Sequence, residues 1–147
     1  MTSFPEIPLL YRDDLLVVAG KPAGVAVHRG TSREKVVVLQ LIRNLLGRHV
    51  YPVHRLDRAT SSALLLALDP GTARRLQEQW ASGAVEKRYL ALVRGIPPET
   101  GVIDSPVPRS PGGPRVPAVT EYRRLAVFER YALMEVRPLT GRLHQIR

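Results

Sequence analysis

Apolar and polar positions change period several times along the chain, and each change predicts an element. Leu15 to Ala19 (LLVVA) is a short, partly β-branched apolar run closed by Gly20, Pro22 and Gly24, which predicts a buried strand entering a turn. Val25 to His28 is expected to pair nearby. From Glu34 to Leu46 the apolar residues Val37, Val38, Leu41, Ile42, Leu45 and Leu46 recur at three- and four-residue spacing, with Gly47 just beyond. That spacing predicts an amphipathic helix and its stop. The unbroken run Ala63 to Leu68 predicts a central strand, after which Asp69 and Pro70 supply an N-cap and first-turn proline for a helix ending near Gly83.

Arg88 to Val93 (RYLALV) alternates and predicts another strand, ended by Gly95 and Pro97. Seven of the 13 prolines and four of the 11 glycines lie between Gly95 and Pro117, so a long irregular surface loop is expected there. Thr120 to Ala126 and Tyr131 to Val136 flank a short polar connection and predict a hairpin. No internal repeat is visible. Strands from both halves with two intervening helices predict an α+β fold, a mixed and mainly antiparallel sheet with flanking helices. At 147 residues it is expected to form a single domain, 1–147.

Composition narrows the chemistry. With no cysteine, disulfides, thiolate zinc sites and cysteine nucleophiles are excluded. The start, MTSFPEIPLLYRDD, lacks the layout of a secretory signal, so a cytoplasmic location is expected. The longest apolar run, six residues, falls far short of the roughly 20 of a spanning helix, so no membrane partner is expected. Lys and Arg number 22 against 13 Asp and Glu, a net charge of +9, and 19 of the 22 cations are arginine. That balance suits a polyanion contacted through forked guanidinium groups.

Three segments could carry chemistry. VHRLDRATSSALLLAL, residues 53–68, puts Asp57 between Arg55 and Arg58 ahead of the central strand. In the bland reading it is a loop aspartate in surface ion pairs worth about 0–1 kcal/mol. In the functional one it is a carboxylate at a sheet edge, flanked by guanidinium charge and able to act as nucleophile or base. EKRYLALV, residues 86–93, holds Tyr89 in an aliphatic strand, as core packing or as a ring that stacks on a base. PLTGRLHQIR, residues 138–147, gathers Arg142, His144, Gln145 and Arg147 and by itself reads as a basic tail. The histidines at 28, 49, 54 and 144 form no metal-ligand pattern, so no metal is assigned, and His28 and His54 read as structural residues or phosphate contacts. No GxGxxG or GxxxxGK[ST] loop is present, so no nucleotide cofactor is assigned.

In that order, HRLDRATSS, EKRYLALVRG and TGRLHQIR resemble the three signature segments of the RluA family of pseudouridine synthases. The opening LLYRDDLLVVAGKPAGVAVHRG is similar to that family's first strand and KPAG turn, so the resemblance runs from about Leu9 to Arg147. KPAGVAVHRG, GRHVYPVHRLDR and PAVTEYRRLA look most like the TruC branch, which modifies uridine 65 of tRNA. The resemblance implies an isomerase that detaches uracil from ribose, turns it and rejoins it through carbon, with no cofactor or metal. Asp57 matches the catalytic aspartate, as nucleophile at C1′ or base at C2′. Arg147 matches the basic residue that pairs with it. Tyr89 matches the tyrosine that stacks on the uracil. Because such a target must leave its helix, Arg55 matches the residue that fills the vacated space, and Leu56 would pack beneath the site. Arg58, Arg142 and His144 would hold the RNA. A monomer acting on RNA, most simply tRNA, is expected.

The sequence departs from the pattern in places. Ser62 stands where TSG has its glycine, Ala59 replaces a proline, and Leu143 replaces a polar or basic residue. No S4-like region is expected ahead of Leu9. The chain stops at Arg147, inside the third segment, so the resemblance implies the N-terminal and central part of a catalytic domain, less stable than a continued chain. Competing readings are a basic RNA-binding module without activity, which would lose nothing on Asp57→Asn, and a synthase of the same family acting on ribosomal RNA. A third is a sugar hydrolase, for which Asp69 and Asp104 would be the only other central aspartates.

Overall fold

The segment LVVAGK folds as a strand whose β-branched and small side chains alternate, with Val17, Ala19 and Lys21 buried on one face and Leu16, Val18 and Gly20 half-buried on the other. A computed structural model describes residues 6–29 and 36–147. Strand β1 (Leu9–Arg12) pairs antiparallel with β2 (Leu16–Lys21). Helix α1 (Val38–Leu46), β3 (Tyr51–Pro52), β4 (Ser62–Ala67) and α2 (Pro70–Ala81) follow. The four strands form one antiparallel sheet in the order β1-β2-β4-β3, which makes β4 an interior strand as its apolar run predicts.

Both faces of β4 are covered. Leu64 and Leu66 are fully buried on one, while Leu65 and Ala67 meet Val53, Ala73, Leu76 and Trp80 on the other, so the strand reads as continuous apolar sequence rather than alternation. Helix α1 buries Val38 and Ile42 and stops at Gly47, whose φ of 63° is left-handed. Asp69 caps α2 by accepting the Thr72 amide at 2.8 Å, with Pro70 in the first turn. The expected helix 34–46 is shorter in its described part. Glu34 and Lys35 lie outside the described residues, and Val37 is extended at φ −135° because it bridges Ala26. That bridge is the nearby pairing expected of Val25 to His28.

The described residues divide at Ser82/Gly83 into two compact units. The second holds β5 (Tyr89–Arg94), β6 (Thr100–Asp104), β7 (Val107–Pro108), β8 (Arg115–Val116), β9 (Val119–Phe128) and β10 (Tyr131–Pro138). Its main sheet, β5-β10-β9-β6, is antiparallel throughout, and β9 and β10 form the expected hairpin with Glu129 at φ 50° in the turn. Ala132, Met134 and Val136 form the buried stripe of β10, flanked by Tyr89, Ala91 and Val93 from β5.

The stretch 95–117, expected to be an irregular loop, instead contains β6 and the short β7–β8 ladder. β6 fits between Pro98 and Pro106 and pairs on one edge only, while Pro108 sits in a two-residue ladder, where a missing amide costs least. Ser62 needs no special backbone at its glycine-like position, since among the described non-glycine residues only Glu129 and His144 have positive φ.

Candidate active site

Asp57 is half-buried on the loop that joins β3 to β4, between two anchors. The first is His54. Its Nε2 accepts the Leu65 amide of β4 at 3.1 Å, and its ring stacks on Trp80 of α2, centroids 4.0 Å apart and planes within 8°. Burial holds this imidazole down to about 4, against a weaker upward pull from a backbone hydrogen bond at Arg55. The histidine is therefore neutral at neutral pH, with Nδ1 carrying the proton, as the acceptor role of Nε2 requires. Of the readings open for His54, the structural one holds.

The second anchor is Lys21, which in the sequence stands out only as part of the KPAG turn. Strand period places Val17, Ala19 and Lys21 on one face of β2, so the lysine stem continues a buried row and is only 1% exposed. Its ammonium donates to three carbonyls: Pro22 at 3.0 Å, Arg58 at 3.1 Å and Thr60 at 2.6 Å. Two of the three belong to the loop that carries Asp57. Burial pulls the lysine below its ordinary value, and the Asp57 charge opposes that pull. The alternation Val17-Ala19-Lys21 was the signal that could have marked it as an interior cation.

Backbone bonds complete the loop. Gly24 donates its amide to the Arg58 carbonyl at 2.8 Å, Arg58 Nε returns a bond to the Gly24 carbonyl at 2.9 Å, and the Thr60 amide closes a turn on the Asp57 carbonyl at 3.1 Å. Leu56 is buried beneath the loop, whereas Arg55 and Arg58 are exposed. The arrangement holds the backbone of a carboxylate-bearing loop from both sides with a cation close by, as positioned acid–base or nucleophilic chemistry requires.

The remaining candidates lie in the second unit. Tyr89 opens β5 opposite Val136 and packs half-buried against the Ala132-Met134-Val136 stripe. Arg142, His144 and Arg147 are exposed on the segment after β10. Gln145 holds that segment to β9: its Nε2 donates to the Val119 carbonyl at 3.0 Å and Thr120 Oγ1 at 2.9 Å. Its Oε1 accepts from Thr140 Oγ1 and the Arg142 amide, both at 2.9 Å. Arg142 Nε also donates to the Pro117 carbonyl at 3.0 Å, and His144 adopts φ 55°. Arg147 lines a concavity of about 460 Å³ floored by Ala91, Val93, Met134 and Val136. The clamp role of Gln145 carries no sequence periodicity, and its place in TGRLHQIR is the one signal that marks it.

Among the described residues no helix is long and apolar enough to cross a membrane.

Comparison with known proteins places these motifs. A sequence model of the family described as RNA pseudouridylate synthase matches residues 15–147. The tRNA pseudouridine synthase C of Pectobacterium carotovorum subsp. carotovorum is 43% identical over all of this chain and 45% of its own length. That of Salmonella typhimurium strain LT2 is 41% identical over 96% of this chain and 63% of its own. The chain thus spans about half to two thirds of these relatives. Among solved structures, human RNA Pseudouridylate Synthase Domain Containing 4 superposes with a TM-score of 0.78 at 31% identity, over 95% of this chain and 61% of the human one. Human RNA Pseudouridylate Synthase Domain Containing 1, at 24% identity, shares the fold with a TM-score of 0.83 over 100% of this chain and 66% of its own. With a family match across both units and all three motif segments, the chain belongs to the RNA pseudouridylate synthase family.

Proposed function

We propose that this protein is an RNA pseudouridine synthase that isomerises a uridine of tRNA, acting as a single-domain cytoplasmic monomer. The observation that carries the reading is the half-buried Asp57 on a loop pinned by Lys21 and His54, in a chain related across its length to tRNA pseudouridine synthases C. The N1–C1′ bond breaks, C5–C1′ forms, the C5 proton leaves to solvent and N1 gains a proton. Atoms and electrons balance without an oxidant, so the chemistry asks for no redox cofactor.

In this reading Asp57 acts at the sugar, as nucleophile at C1′ or base at C2′. Arg147 pairs with the carboxylate, Tyr89 stacks on the uracil, Arg55 fills the space of the flipped nucleotide, and Leu56 supports the site from below. Arg58, Arg142 and His144 contact the RNA.

The test is tritium release from C5-labelled uridine in a tRNA transcript. Release by the chain, and none by a folded Asp57→Asn variant that still binds the transcript, is expected. Equal release by the variant, or none by either protein, refutes the reading.

A further inference from the structure

The first unit holds a second concave site that the chemistry at Asp57 does not use. It measures about 400 Å³ and is rimmed by His28, Arg29, Arg43 and His49, over a floor that includes Val37 and Val50. The four rim residues are exposed, the two floor valines are buried, and among the described residues no carboxylate lines the site.

The site is built into the fold. The Val38 and Leu39 amides at the start of α1 donate to the Ala26 and Val27 carbonyls at 2.9 and 3.1 Å, stitching the segment that carries His28 and Arg29 to the helix that carries Arg43. Arg29 Nη2 donates to Gln40 Oε1 at 3.1 Å, which sets the direction of the guanidinium. Gly47 then turns the chain so that His49 and Val50 return to the same hollow.

We infer that this basic hollow binds backbone phosphate of the RNA strand flanking the target uridine. The inference rests on the reading of the protein as an RNA pseudouridine synthase. Two guanidinium forks and two imidazoles match phosphate and sugar oxygens, and contacts of this kind set register rather than read sequence. The distance also fits. Gly24 is bonded in both directions to Arg58, beside Asp57, and five residues later comes Arg29. Five extended residues reach at most about 17 Å, a span that one RNA strand crosses in a few nucleotides.

The experiment measures affinity for a tRNA transcript across a salt series for the wild type, Arg29→Gln/Arg43→Gln, and Arg74→Gln. Arg74 lies on α2 outside the hollow, with its side chain 84% exposed, and controls for loss of charge alone. Each lost phosphate contact is expected to lower the slope of log affinity against log salt by about 0.7–0.9, so the double variant should lose up to twice that while Arg74→Gln stays near wild type. Circular dichroism confirms that the exposed substitutions leave the fold intact. A steep wild-type slope that persists in the double variant, or falls equally in Arg74→Gln, overturns the site and leaves the synthase reading standing. Absence of salt-dependent binding by the wild type overturns both.

Discussion

Stability of the first unit should fall between pH 7 and pH 5 because of His54. The group is held down to about 4 by burial, against an ordinary value of 6.5 in the unfolded chain. The folded value is depressed, so the unfolded state binds the proton first as pH falls, and stability drops from about pH 6.5 until the folded group titrates near 4. With 1.36 kcal/mol for each pH unit in that window, the loss is about 2 kcal/mol at pH 5 and about 3 kcal/mol by pH 4. Stacking of the imidazolium on Trp80 would offset roughly 1 kcal/mol, which leaves the sign unchanged. Protonation also removes the acceptor that Nε2 offers the Leu65 amide. The chain's one tryptophan is Trp80, stacked on this ring, so its fluorescence during urea unfolding reports the site directly. The comparison is His54→Gln, which keeps an acceptor near the Nε2 position without a titrating group, and common carboxylate effects cancel between the two proteins. Wild type should lose at least about 1 kcal/mol more than the variant between pH 7 and pH 5. Parallel losses within ~0.5 kcal/mol, or a His54 titration near the ordinary value by NMR, would show that the ring is not held neutral by burial.

Other substitutions probe the supports of the two motif segments. Lys21→Met keeps the buried stem but removes three hydrogen bonds, leaving the Pro22 and Thr60 carbonyls without the lysine and the Arg58 carbonyl with the Gly24 amide alone, and should cost about 2–3 kcal/mol in urea unfolding followed by Trp80 fluorescence. It should also lower tritium release. Gln145→Ala removes four hydrogen bonds that seat the segment after β10, and should cost about 2 kcal/mol and raise amide exchange at Arg142. Asp69→Ala removes the cap of α2 and should lower stability by about 1 kcal/mol without changing RNA affinity.

How much was legible in advance followed from how local each determinant is. The helix stop at Gly47, the Asp69 cap and the covered strand at 62–67 depend on neighbours in sequence, and composition and period marked all three. β6 was hidden because its pairing with β9 spans the proline-rich stretch, and prolines at 97, 98 and 106 dominate any local window though they fall outside the strand. The candidate site divides the same way. Asp57, Tyr89 and Arg147 were marked by ordered motifs, whereas their supports depend on where long side chains end. Lys21 reaches carbonyls 37 and 39 residues away, and Gln145 reaches back 25 and 26 residues to Thr120 and Val119. In both cases one polar side chain makes several hydrogen bonds to distant groups at once, so its removal breaks all of them together. Double-mutant cycles joining Lys21→Met to Asp57→Asn should therefore show coupling in stability, since the lysine that fills the carbonyl cage also feels the Asp57 charge.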